Sequence, residues 1–365
     1  MSVDQELERF YEDVARADLQ PLWRQQRNLM PRHPLPETRA WLWQWKTLRA
    51  LAERAGELIS IERGGDRRVL SLANPGLGGQ PFATPTLWGA VQYLGPGESA
   101  PGHRHTPGAI RFVLEGEGVY TTVDGDACDM HPGDLILTPN WTWHDHNNRA
   151  DAPMVWFDGL DLPLVVHLEA VFFQQYPDDV LQPVTGEHNR SARLFGGRGL
   201  LPVGAREQGR RHSPLLVYRR EDTDAALDAL LAEQGGPMVG LEYVNPTSGG
   251  PALPTMSCEL HRLVPGGRTT PVRRVGSSVV VVYQGAGSSV INGQRFEWSA
   301  GDMFVIPSWA AVDHQASEPT DLFAITDRPV LEAFGLYREV TLDGAQEVTG
   351  QFDRGVELSG PGRWS

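Results

Sequence analysis

Two stretches of this 365-residue chain repeat one another, and that repeat limits the fold more than any other feature of the sequence. FVLEGEGVYTTVDGDACDMHPGDLILTPNWTWHDH can be set beside VVYQGAGSSVINGQRFEWSAGDMFVIPSWAAVDH. Gly116 and Gly118 then face Gly285 and Gly287, Gly133-Asp134 faces Gly301-Asp302, Pro139 faces Pro307 and Trp141 faces Trp309. Both copies are short β-prone runs punctuated by Gly, Pro and Asp turns, which is how a small antiparallel barrel or jelly roll reads. The predicted fold is therefore mainly β, with two jelly-roll barrels in one chain.

Around the repeat the texture changes. ELERFYEDVARADLQPLWRQQ and ETRAWLWQWKTLRALAERAGEL place apolar residues three and four apart, so residues 1–75 are expected to form an N-terminal helical arm. The first barrel is expected over 76–175 and a connector carrying the helix DTDAALDALLAEQ over 176–235. The second barrel is expected over 236–345 and a tail over 346–365.

Composition narrows the partners. A formal charge of −14 with no lysine- or arginine-rich run argues against nucleic acid. The most apolar stretches, such as LPLVVHLEAVFF, are interrupted by charge before they reach the length of a membrane span, and the acidic start lacks the build of a secretory signal. Two distant cysteines, Cys128 and Cys258, give no sign of an oxidising compartment or a thiolate metal site, so the cytoplasm is the expected location.

Five of the eleven histidines fall between positions 103 and 146. His103 and His105 alternate with Arg104, so on a strand both imidazoles leave the same face. Beyond the Gly133-Asp134 turn, WTWHDHNN brings His144 and His146 to another strand, where a third ligand is available. Such nitrogen donors suit iron, zinc, copper or nickel, and three protein ligands leave positions open for substrate. His131, His167, His188 and His212 are expected to be ordinary core or surface residues. Arg111, in the apolar run IRFVLEG, needs an anionic partner if it points inward. A substrate carboxylate is one candidate, and Glu115 or Glu117 is the structural alternative.

GESAPGHRHTPGAIRFVLEG resembles the first cupin motif and GDLILTPNWTWHDHNN the second, with Gly133, Pro139, His144 and Asn148 at the family's spacing. From PLWRQQRNLMP through RGGDRRVLSLANPGLGG to the second repeat, the chain resembles bicupin gentisate 1,2-dioxygenases, with salicylate and 1-hydroxy-2-naphthoate dioxygenases as close relatives. One position departs from many cupins: Ala109 stands where they carry a glutamate ligand. The resemblance thus implies the ligand set His103, His105 and His144, holding one Fe(II) per subunit in the N-terminal cupin. Three neutral imidazoles leave the full metal charge to attract an anionic chelating substrate.

In the second copy Val272 falls opposite His103, Arg274 opposite His105 and Val312 opposite His144, so this barrel is expected to lack the metal site and to serve assembly or support. His314, opposite His146, is expected to be structural. The resemblance further implies that Arg67 and Arg111 contact a substrate carboxylate and that Trp88, Ala90 and Gln92 line the pocket. His146 and Asp158 would hydrogen-bond substrate or move protons. It implies cleavage of a small aromatic acid, gentisate, with O2 to maleylpyruvate, by a homotetramer. The same scaffold with salicylate or 1-hydroxy-2-naphthoate is the nearest alternative. Ala90 in place of glycine leaves less room beside Trp88, which favours gentisate, although one methyl group discriminates by only about 1 to 3 kcal/mol. A non-catalytic regulator or storage cupin, or isomerisation on zinc or manganese, fits the paired arginines and three histidines less well.

Overall fold

The computed structural model describes residues 2–64, 68–197, 199–209 and 211–353. The chain divides into two compact units, 1–36 and 37–365. The first holds helices α1 (Val3–Arg16) and α2 (Leu22–Leu29). Ser2 caps α1 in a reciprocal capping box with Gln5, and Trp23 Nε1 donates to Tyr11 Oη at 3.1 Å.

The second unit begins with β1 (Trp41–Trp43), α3 (Trp45–Leu58), β2 (Val69–Ser71), β3 (Trp88–Leu94), β4 (Ser99–His105) and β5 (Ala109–Glu115). There follow β6 (Val119–Val123), β7 (Asp126–Asp129), β8 (Leu135–Thr138), β9 (His144–Asn148), β10 (Met154–Leu160), α4 (Leu162–His167) and β11 (Phe173–Gln175). Next come α5 (Arg190–Phe195), β12 (Val217–Tyr218), α6 (Arg220–Gln234), β13 (Met238–Glu242), β14 (Ser257–Leu263), β15 (Val272–Arg274) and β16 (Ser278–Gln284). The remainder is β17 (Ala286–Ile291), β18 (Gln294–Ser299), β19 (Met303–Ile306), β20 (Ala311–Ala316), β21 (Thr320–Thr326), α7 (Arg328–Ala333), β22 (Glu339–Thr341) and β23 (Gly350–Gln351).

The sheets have matching orders. The first barrel pairs β12-β8-β5-β10-β3-β2 with β11-β4-β9-β6-β7, and the second pairs β1-β19-β16-β21-β14-β13 with β22-β15-β20-β17-β18-β23. The expected pair of jelly-roll barrels is therefore present, although its borders mix. β1, inside the expected helical arm, is an edge strand of the second barrel, and β12, from the expected connector, is the corresponding edge of the first. The helical reading of 37–75 holds for α3 but not for β1 or β2. Trp41, Leu42 and Trp43 are buried on both faces, and so short a run has no period to distinguish strand from helix. At the other end, β23 pairs with β18 and Phe352 stacks on Phe296, so the expected tail contributes to the second barrel as far as the described residues go.

The largest core lies between the barrels. Phe112 stacks on Phe323 at 4.0 Å between ring centroids, and Ile110 and Phe157 pack with Val279, Val281 and Ile325. Because side chains alternate along a strand, a β5 that turns Ile110 and Phe112 to the partner barrel must turn Arg111 and Val113 to its own interior. Two reciprocal hydrogen bonds lock the join. Thr86, leading into β3, donates to Asp327 after β21, and Thr255, leading into β14, donates to Asp161 after β10. Each aspartate also accepts a backbone N–H within its own barrel, from Ser277 at 2.9 Å and from Gly108 at 2.8 Å.

Candidate metal centre

The site is built by strand register. In β4 and β9, His103 stands directly opposite His144, and His105 leaves β4 on the same face as His103. The second barrel places Val272 opposite Val312 in the same way, as the alignment of the repeats requires. The turn before β9 is held by Trp141, which adopts φ 59° and donates its backbone N–H to the His105 carbonyl at 2.9 Å. Its counterpart Trp309 has φ 64° and donates to the Arg274 carbonyl. A left-handed conformation at a bulky residue costs about 1 kcal/mol or more, and its recurrence marks a turn that both barrels need. On the opposite face of β4, Arg104 lies over the rings of Trp141 and Trp143, 4.4 Å from each centroid, which ties the two strands together from outside.

One nitrogen from each of His103, His105 and His144 lies within 4.8 Å of the others, the only such group of three potential ligands among the described residues. Their tautomers are set locally. Nδ1 of His103 donates to the Pro101 carbonyl at 3.2 Å, Nδ1 of His105 to Pro107 at 2.8 Å and Nδ1 of His144 to Thr142 at 3.0 Å. Each ring, when neutral, therefore carries its lone pair on Nε2, the orientation that backbone carbonyls impose on metal-binding histidines. His144 Nε2 is buried with no hydrogen-bond partner, and burial, with His103, His105 and Arg111 nearby, holds its ring well below the usual histidine range and so neutral. A buried orphan nitrogen beside two others fits a metal ion.

Arg111 is buried inside the barrel, as the alternation requires, but its anionic partner is Asp158 on β10 and not Glu115 or Glu117. Its Nε lies 3.5 Å from Asp158 Oδ1, and its NH1 donates to Thr138 Oγ1 at 2.8 Å. Glu115 instead binds Arg49. Asp158 also accepts from Trp156 Nε1 at 3.1 Å, and burial pushes its carboxyl up to about 6 against the pull of Arg111. The folded metal-free protein thus keeps this proton to higher pH than the unfolded chain does, so Asp158 stabilises most at low pH and loses that contribution as pH rises from about 4 to 6. By linkage, the stability of the parent relative to Asp158→Asn should fall by about 1 kcal/mol between pH 5 and pH 7 and stay level above. Urea unfolding of both metal-free proteins checks this, and a constant gap would refute it.

Ala90 stands opposite Asp158, and Gln92 opposite Trp156, so both are buried on the same wall. Trp88 begins this strand and donates Nε1 to Ser71 Oγ at 3.1 Å. Arg67 lies outside the described residues. Its neighbour Arg68 is committed elsewhere, to the Gly56 and Ile59 carbonyls and to Glu98. His131 and His188 pair with Asp134 and Asp129, and His167 and His212 lie against backbone carbonyls.

The sequence reading missed Phe173 and Thr121. Phe173 stacks on His103 from β11 at 5.4 Å, and β11 is too short to show a period. Thr121 contacts His146, and nothing in its local sequence marks it; the ladders place it opposite His146 as they place Ser289 opposite His314. The second barrel encloses a cavity of about 160 Å³ whose lining includes Glu259, His261, Arg274 and His314, with His261 Nε2 bonded to Glu259 at 2.9 Å. Val280 and Ala324 stand there where the first barrel has Arg111 and Asp158.

Two fused barrels, one of them presenting three histidines beside a buried arginine, define a bicupin with a metal-binding first domain. Residues 90–162 match the family model described as Cupin domain. A gentisate 1,2-dioxygenase from Streptomyces sp. is 49% identical over 91% of this chain and 94% of that protein. A 5-aminosalicylate 1,2-dioxygenase from Comamonas sp. is 38% identical over 96% of each chain. The structure of a salicylate 1,2-dioxygenase from Pseudoaminobacter salicylatoxidans in its adduct with gentisate superposes with a TM-score of 0.89 at 43% identity, covering 94% of this chain and 96% of that one. The chain belongs to the gentisate 1,2-dioxygenase family of bicupin ring-cleaving dioxygenases. Among its described residues no helix is long and apolar enough to cross a membrane.

Proposed function

We infer that this enzyme opens the ring of gentisate between the carbons bearing the carboxylate and the adjacent hydroxyl, adding both atoms of one O2 to give maleylpyruvate. The observation that carries the reading is the convergence of His103, His105 and His144 beside the buried Arg111–Asp158 pair. A single Fe(II) on the three histidines fits a neutral imidazole set, whereas zinc has no redox chemistry and magnesium prefers oxygen donors. Bound iron supplies the redox activation of O2. The chain supplies the rest. Arg111 takes the substrate carboxylate, Asp158 and Thr138 hold the guanidinium in place, and His146 Nε2, buried and without a partner, offers a polar contact on the same side. Ala90, Gln92 and Trp88, on one face of β3, would line the pocket wall beside the ring. On the same family resemblance the reading includes a homotetramer in the cytoplasm.

Anaerobic reconstitution with Fe(II), followed by O2 uptake on adding gentisate, salicylate or 1-hydroxy-2-naphthoate, tests this. Gentisate is expected to consume one O2 per molecule and to produce the absorbance of maleylpyruvate. Faster turnover of either other acid would transfer the reading to that substrate. No uptake by the iron-loaded protein with any of the three would refute it.

A further inference from the structure

His144 and His146 leave β9 on one face, so the ring of His146 lies just beyond the three-histidine group, inside the barrel. Thr121, fully buried on β6, stands opposite His146 in register and places Oγ1 2.8 Å from His146 Nδ1 and 3.1 Å from Met130 Sδ. A threonine hydroxyl has one proton, so it donates to one of these two atoms. The choice decides whether His146 presents an N–H or a lone pair at Nε2.

The second barrel contains the same pair with a different neighbour. Ser289 stands opposite His314 with Oγ 2.7 Å from Nδ1, and Trp298 Nε1 donates to the same Oγ at 2.9 Å. An indole N–H can only donate, so the Ser289 oxygen accepts it and keeps its own proton free to donate to His314 Nδ1. At the matching position in the first barrel stands Met130, whose thioether is a weak acceptor beside an imidazole nitrogen. Buried and near Arg111, a lone pair on His146 Nε2 would repel the anion that Arg111 is placed to bind, whereas an N–H would share in binding it.

We propose that Thr121 is a positioning residue: its hydroxyl donates to His146 Nδ1 and so fixes the Nε2–H tautomer, which gives an anionic aromatic acid a hydrogen-bond donor beside Arg111. This rests on the reading that His146 meets the substrate.

Two variants separate positioning from packing because they rank oppositely. Thr121→Val keeps the side-chain shape and loses the hydroxyl, and Thr121→Ser keeps the hydroxyl and loses a methyl group. With the acid that the parent enzyme turns over, Thr121→Val should lose about ten-fold in kcat/KM and bind that acid correspondingly more weakly in anaerobic titration. Loss of one buried hydrogen bond predicts a change of this order. Thr121→Ser should stay within about three-fold of the parent on both measures, and both variants should bind as much iron as the parent. Thr121→Val in a His146→Ala background should add nothing further. Full activity of Thr121→Val, or an equal or greater loss in Thr121→Ser, would overturn the proposal. If His146→Ala is impaired while Thr121→Val is not, Thr121 alone loses its role. If His146→Ala is as active as the parent, the role of His146 falls and that of Thr121 falls with it.

Discussion

Replacing His105 by alanine is expected to lower iron affinity at least about 100-fold and to bring ring cleavage below detection, while the barrel stays folded. The size follows from what is removed. Mutation of a group that merely orients a metal ligand already costs about 10- to 100-fold in affinity, and His105→Ala deletes the ligand itself. Only two nitrogens remain, on β4 and β9, with no carboxylate to replace the third, because the position where many cupins carry glutamate is Ala109, buried at the start of β5. The fold has little reason to suffer, since the strands are held by their ladders, the Trp141 turn and the inter-barrel core. Metal content after desalting is the decisive measurement. His103→Ala and His144→Ala should behave like His105→Ala, whereas His314→Ala, in the second barrel, should retain one iron per chain. Full iron in any of the first three would refute the assigned ligand set.

Arg111→Met is expected to bind iron normally and to lose about 100- to 1000-fold in kcat/KM. A buried, hydrogen-bonded charge pair that loses one partner typically costs about 2 to 5 kcal/mol, and in the proposed complex that pair would be Arg111 with the substrate carboxylate. The variant has a second consequence in the free protein, because Arg111 is the group that pulls the Asp158 carboxyl down. Without it Asp158 should remain protonated to higher pH, and that neutralisation limits the stability loss. Adding Asp158→Asn should therefore restore stability at neutral pH and leave kcat/KM depressed. Iron content, urea unfolding and steady-state kinetics on the single and double variants separate these effects. Activity near that of the parent in Arg111→Met would remove the carboxylate role.

Much of the site was legible because strand geometry converts spacing into direction. The alternation His103-Arg104-His105 predicts two imidazoles on one face, and the structure adds that Arg104, on the other face, lies over Trp141 and Trp143. The alignment that set Val272 and Val312 against His103 and His144 is the pairing that the two ladders adopt. An arginine in the apolar run IRFVLEG demanded a counter-charge, for which the sequence offered a substrate carboxylate or, within the chain, Glu115 or Glu117. The sheet instead brings Asp158 alongside, since β10 runs antiparallel to β5.

The sequence by itself determined that there are two copies of one β-unit, that only the first carries the histidine cluster, and that an arginine follows the cluster's first two members in an apolar run. These are local properties of period, spacing and polarity. Only the tertiary structure decided which carbonyls set the histidine tautomers, which carboxylate faces Arg111, and that β1 and β12 lie at corresponding edges of opposite barrels. The physical reason is that each depends on which strands become neighbours. That is settled by how the inter-barrel core around Phe112, Phe157 and Phe323 closes over residues far apart in the chain, which no local period records.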